Sequence, residues 1–306
     1  MLEAIEQLAA KIEADEGTAI ALSAADAVLH AEGKFTPDVA MNPRPLKSSS
    51  LSQFSAVPGK RSGAIGFKLE CKGSGTPGTP PEAGKFLRAC GMQETIAAGV
   101  SVTYTPATDT IPAMTLALYQ DGMISQIWGA RGTWKLNCPV GEPAWWEFEF
   151  TGADFSVADG NLLTGVSFHT TVPPAFVSAS LTIDSYAALI STLSVDCGNA
   201  VALRSDANTS SGNKSAVITA RPMAMTFDPE KVLAATYDFY TKLRAGTEGA
   251  LSFQLGASAG NICTVGAPKV QYTKVDDTAK DAIRSLGIDC QLNRDSGDDE
   301  VEFVFT

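Results

Sequence analysis

Residues 114–152, MTLALYQDGMISQIWGARGTWKLNCPVGEPAWWEFEFTG, decide the fold class. Met114, Leu116 and Leu118 alternate with Thr115, Ala117 and Tyr119, which is the two-residue period of a strand. Asp121-Gly122 suits a two-residue hairpin turn, so 123–128 returns as a second strand. Gly129-Ala130-Arg131-Gly132 reads as a turn, 133–138 as a third strand and 139–143 as another turn. Residues 145–151 form a fourth strand, with Trp146, Phe148 and Phe150 on one face and Glu147 and Glu149 on the other. The stretch is a β-meander with one apolar side.

Upstream, Ile65, Phe67, Leu69 and Cys71 alternate with Gly66, Lys68 and Glu70, another half-buried strand. A turn-rich linker, KGSGTPGTPPE, leads to a short helix that Pro81-Glu82 opens and Gly91 closes. At the start of the chain, Leu2, Ile5, Leu8, Ala9 and Ile12 recur at helical spacing and predict a helix over 2–15. It serves either as a surface helix or as an arm over 1–17 that docks on a neighbour. Residues 34–62 carry Pro37, Pro43, Pro45, Pro58 and Gly59 around a serine run. They predict a long loop, and a loop of that length points to an interaction role. Lys34, Arg44 and Lys47 are its cationic candidates for contact with a neighbouring copy.

Downstream, a weaker copy of the pattern follows. Residues 216–227 are strand-like, and Pro229-Glu230 opens a predicted helix to about Leu243. Leu251, Phe253 and Leu255 parallel Leu116 and its neighbours. Gly266-Ala267 matches Gly129-Ala130, and Glu302–Thr306 matches Glu147–Thr151. The two separations are 137 and 155 residues, which implies an insertion of 18 near 275–292, partly helical in pattern. The expected organisation is therefore two tandem strand–helix–meander units, 1–153 and 154–306.

The net charge is −11, divided −4 over residues 1–153 and −7 over the rest, so both halves are acidic. That argues against a basic groove that neutralises phosphates. The first residues lack a basic, apolar leader, and no apolar run reaches bilayer-spanning length, so no membrane partner is expected. Six cysteines, none in a C-x-x-C pair, read as reduced and buried. With two histidines and no phosphate-loop, nucleophile-elbow or metal-ligand spacing, neither an enzyme nor a cofactor is expected. Asp295, Asp298, Asp299 and Glu300 read as a solvated turn. The four tryptophans leave open a carbohydrate-binding β-sandwich that stacks sugars on them, although core packing suits them better.

The order of elements over 68–92 and 101–152 resembles the major tail tube proteins of long-tailed, non-contractile bacteriophages. The shared features are the Tyr104-x-Pro106 strand start, the Asp121-Gly122 hairpin, the GARG and G-x-P turns and the closing F-x-F-T-G; Ala25–Val28 fits an early strand of the family. The resemblance covers the first half well and the second only as the weaker repeat. It implies a mainly β protein, a sandwich with short flanking helices whose sheets join around a ring into one barrel. It also implies stacked rings that form a virion tail, assembled in the host cytoplasm. The lumen would contain the tape measure protein and DNA without specific binding, and tail tip and terminator proteins would be partners. Two units per chain would give a trimer with pseudo-hexameric symmetry in place of a hexamer of chains. Glu70, Glu147, Glu149 and Glu302 are then the lumen-facing candidates, and Leu2, Ile5, Leu8 and Ile12 join Lys34, Arg44 and Lys47 as ring-to-ring candidates. A tail terminator or the inner tube of a contractile device are related alternatives on the same fold.

Overall fold

The computed structural model describes Leu2 and residues 4–306. Its first half comprises β1 (Glu6–Ile12), β2 (Ala27–Val28), β3 (Ala31–Asn42), β4 (Val57–Glu70), α1 (Gly84–Ala89), β5 (Met92–Ala97), β6 (Ser101–Pro106), β7 (Met114–Gln120), β8 (Met123–Pro139), β9 (Trp145–Gly152) and β10 (Asp154–Asp159). Its second half comprises β11 (Thr182–Ile183), β12 (Thr192–Asp196), β13 (Ala200–Ser205), β14 (Asn213–Ala220), β15 (Ala224–Phe227), α2 (Phe239–Ala245), β16 (Glu248–Leu255), β17 (Cys263–Lys280), β18 (Ile283–Leu292) and β19 (Glu302–Phe305). The fold is mainly β, as the alternation predicts.

The strands form two layers. The first is one antiparallel sheet in the order β3-β4-β9-β8-β12-β15-β18-β17. The second contains two smaller groups, β2-β1-β7-β8-β10 and β11-β16-β17-β19-β6-β5. The long strands β8 and β17 belong to both layers, their N-terminal parts in the second and their C-terminal parts in the first. Side chains on the facing surfaces make the core. Trp134 and Trp146 meet edge to face with ring centroids 5.5 Å apart, and Phe303 from the second layer closes on both at 5.1 and 5.0 Å. Between the layers, Phe86 of α1 sits edge-on to Phe67 at 4.9 Å. Such fully buried rings carry much of the fold's hydrophobic stabilisation.

The pairings of the second half follow those of the first. β1–β7, β7–β8, β8–β10, β8–β9, β9–β4 and β4–β3 have as counterparts β11–β16, β16–β17, β17–β19, β17–β18, β18–β15 and β15–β12. A bulge between Met114 and Leu116 has its counterpart between Gly249 and Leu251. The helices hold matching places, α1 after β4 and α2 after β15. In this scheme β19 corresponds to β10, not to β9, whose place β18 takes. The sequence match of Glu302–Thr306 to Glu147–Thr151 therefore pairs strands that are not topological counterparts.

Several local expectations are corrected. Residues 6–12 are a strand, not a helix: β1 pairs with β7 along its length and buries Leu8, Ala9 and Ala10 in succession, which hides the two-residue period. Of the expected loop, only 43–56 lies outside strands. β3 and β4 form a long hairpin arm whose tip is exposed on both faces, so nothing apolar marks it as β. Gly129–Gly132 is no turn but a bend inside β8, with Gly129 at φ +60°. The helix expected from Pro229 begins only at Phe239, where Asp238 caps it by accepting from the Thr241 amide. Residues 275–292 form a hairpin extension of β17 and β18 with no helix.

Candidate assembly surfaces

The first layer has one face in the core and one face outward. On β4, β9 and β8 the outward positions include Lys68, Glu70, Glu147, Glu149, Thr133 and Lys135. Glu70, Glu147 and Glu149 therefore share one surface, as period two requires. That surface is mixed in charge. Glu147 lies opposite Lys68 on one neighbour and Lys135 on the other. The Lys68 ammonium bridges Glu32 at 2.7 Å and Glu147 at 3.2 Å, and those hydrogen bonds raise its pKa. Glu149, by contrast, lies between Gly66 and Thr133 and is exposed. Glu302 is elsewhere. It sits on β19 in the second layer, exposed, while its neighbour Phe303 points into the core against Trp134. It lies across the core from the other three acids, because the F-x-F motif that suggested it belongs to a different strand.

A second surface is the tip of the β3–β4 arm. Leu46, Leu51 and Phe54 are exposed there, Leu51 at 105% of its reference area, and the Arg44 guanidinium lies 5.9 Å from the Phe54 ring centre. Lys47 falls in the same segment, and Lys34 lies on β3 at the arm's base. The N-terminal candidates separate. Leu2 is exposed and Ile5 half-buried, but Leu8 is fully buried and Ile12 packs against the core. Pairing of β1 with β7 thus buries Leu8 fully and leaves Ile12 half-buried.

The sequence gives little sign of the buried polar group that holds the β8 bend. The Glu13 carboxylate accepts from the Gly129 amide at 2.7 Å, the Gly17 amide at 2.8 Å and the Thr115 hydroxyl at 2.9 Å. Burial raises its pKa, against the pull of these donors. Arg131 donates to Glu16 at 2.6 Å, to the Ile111 carbonyl and to the Ala216 carbonyl of β14. The bend thereby connects the N-terminal segment to the β13–β14 hairpin. Arg61 of β4 reaches Asp154 at 2.6 and 2.9 Å, and Asn213 donates to the Arg61 carbonyl, so the same hairpin is also held at the arm's base. The GARG motif marked the position but suggested a turn.

Other marked groups have structural employment. Trp134 and Trp146 are fully buried, which removes two tryptophans from any exposed sugar platform. Asp299 accepts from the amides of Asp295, Ser296 and Gly297, while Asp298 and Glu300 bind Arg221. All six cysteines are buried and free, and burial pushes the thiols of Cys90, Cys138, Cys197 and Cys290 up.

A search of curated proteins found no match to the chain. A family model described as phage tail tube protein matches residues 4–298. The match runs through both sets of strands and agrees with the layered β architecture, and the chain belongs to the phage tail tube protein family.

Proposed function

We propose that this structural protein assembles into closed rings that stack into the tube of a non-contractile phage tail, with the outward face of the eight-stranded layer lining the lumen. The observation that supports this most is that layer itself: it is apolar on one face, polar on the other, and ends in β3 and the C-terminal part of β17, whose outer edges are unpaired among the described residues. Joining such edges between copies is how a sheet avoids exposing them, and a head-to-tail contact that closes gives a ring.

The matching pairings favour two tandem tube units in one chain. Drawn at the last pairing of the first set, their boundary falls after β10 rather than at 153/154. Three chains would then contribute about 24 strands to one barrel. At ~4.8 Å spacing and ~40° tilt, its backbone radius is about 24 Å, which leaves room for duplex DNA inside the side chains. Six chains would double that radius to about 48 Å, far wider than a DNA conduit requires. In this arrangement Glu70, Glu147 and Glu149 face the lumen and Glu302 faces the tube exterior. The acidic chain gives DNA and the tape measure protein a surface that binds neither, and the lysines beside Glu147 moderate the repulsion. The arm tip, with Arg44, Lys47 and Leu51, is the contact between rings, and Leu2 lies exposed at the N-terminal end. Tail tip and terminator proteins would cap the tube, in a virion tail built in the host cytoplasm.

Negative-stain images of purified protein, averaged along the tube axis, test this. Stacked rings with three chains each are the expected result. Single rings that never stack would favour a tail terminator, and six chains per ring would overturn the tandem arrangement.

A further inference from the structure

We propose that the open edge of β17 pairs with the open edge of β3 in a second copy of the chain, in the register of the β8–β12 seam inside each chain. This rests on the ring reading above and specifies its contact.

β8 is flanked along one side by β9 and β10, and along the other by β7 and then β12. β17 has the counterparts of the first three, namely β18, β19 and β16. Among the described residues no strand pairs with Asp276–Lys280 on the side where β12 would lie. Conversely, β12 is flanked by β15 and β8, while its counterpart β3 has, among the described residues, only β4. Each chain thus contains one complete seam and the two separated halves of another.

The ladders fix the register. Phe35 lies opposite Ile65, which lies opposite Phe150; Val195 lies opposite Met225, which lies opposite Cys290. Phe35 therefore holds the place of Val195. Counting four residues along β9 and β18 reaches Trp146 and Leu286, whose partners are Leu136 and Asp277. Asp277 therefore holds the place of Leu136. Since Val195 pairs with Leu136 inside the chain, Phe35 pairs with Asp277 of the next copy. It follows that Lys34 lies opposite Thr278, and Thr36 opposite Asp276. Lys34 and Asp276 become diagonal neighbours of opposite charge on the lumen-side face, within the reach of such side chains. Pro37 holds the place of Cys197, whose amide donates to the Trp134 carbonyl. Proline has no such donor, so the ladder between chains ends one bond earlier.

The test mixes full-length chains carrying Lys34→Cys with chains carrying Thr278→Cys, assembles them and oxidises them. Both side chains are exposed, and residues directly opposite across strands suit a disulfide. A covalent dimer is expected only in the mixture, with a much weaker one when Asp276→Cys replaces Thr278→Cys. Tubes without the Lys34–Thr278 cross-link, or with a stronger Lys34–Asp276 cross-link, would overturn the register while leaving the ring reading intact. Wild-type protein that forms neither rings nor tubes would overturn the ring reading and the seam together.

Discussion

The two sets of strands share their pairings and differ in what fills them. In the first set, Trp146, Phe148, Phe150 and Phe67 pack in a continuous aromatic row on which Phe86 of α1 sits. At the corresponding positions the second set has Leu286, Ile288, Cys290 and Phe227. Its aromatic rings lie instead around α2, where Tyr237 stacks on Tyr186 at 4.7 Å and meets Phe239 in a tilted contact at 4.6 Å, and its hydroxyl meets that of Tyr272 at 3.0 Å. One hydrogen-bond plan accommodates either an aromatic row or a largely aliphatic one, because ladders depend on the backbone and packing depends on total volume.

The widest expected contrast is between equivalent core positions. Trp146→Ala should cost about 4 kcal/mol and Leu286→Ala about 2–3 kcal/mol, since the cavity left by the indole is larger. Urea unfolding of both variants measures this, and equal losses would mean that the second core is as tightly packed as the first. The β8 bend supplies the next contrast. Counting from the shared bulge, Arg131 corresponds to Gln271, whose amide donates to the Gly246 carbonyl. Arg131→Gln should destabilise by about 3 kcal/mol, because Glu16 loses its close partner and the buried Ala216 and half-buried Ile111 carbonyls lose their donor. An unchanged urea midpoint would show that the bend is held by Glu13 alone.

The two helices should respond to pH with opposite signs. Lys85 of α1 donates to the carbonyls of Ala10 and Asp26, and burial lowers its pKa to about 8. In the native state it releases its proton near that value, whereas the unfolded chain holds it to about 10.5. Across that window the unfolded state binds more protons, so stability attributable to Lys85 rises with pH by up to about 3 kcal/mol. Lys242 of α2, hydrogen-bonded to Asp184, has a raised pKa. Its contribution is full below the unfolded lysine value and is lost as pH rises through the folded one. Unfolding curves of wild type, Lys85→Met and Lys242→Met between pH 7 and 11 separate the slopes; parallel curves would contradict both assignments.

The smallest effect on stability is expected at the hairpin tips. Leu51→Ser should change the unfolding free energy by less than about 0.5 kcal/mol, as exposed substitutions do. It should nonetheless shorten tubes, and a serine substitution at Ile283, by the compact Asp281-Ala282 tip, should not. Tube lengths in electron micrographs report the difference, and equal lengths in all three proteins would remove the arm from ring stacking.

The contrast between the sets also explains what was legible in the sequence. The 114–152 meander could be read because one face of β9 is buried and the other is not, so Trp146, Glu147, Phe148, Glu149 and Phe150 print their geometry directly. Glu70, Glu147 and Glu149 could be grouped for the same reason. Strands without that asymmetry were illegible. β1 is buried through Leu8-Ala9-Ala10, and the tips of β3–β4 and β17–β18 are exposed on both faces. Alternation vanishes in either case, leaving helix-like spacing or proline content to dominate. Glu302 was misplaced by a different route: a short F-x-F pattern recurs on any strand with a buried face, and only the pairing order tells β19 from β9.

The seam between β8 and β12 has a kinetic consequence. Its two strands are joined through residues 140–191 of the same chain, so it closes without a second molecule and at the high effective concentration that a tether provides. In a ring of three such chains, every second seam is already made before any two chains meet. Building the ring then requires three molecules to lose their independent motion instead of six, which lowers the entropic barrier to nucleation. In the proposed arrangement of two units per chain it would also restrict the ring to an even number of units, so a five- or seven-unit ring, whose lumen would not match that of its neighbours, would not close.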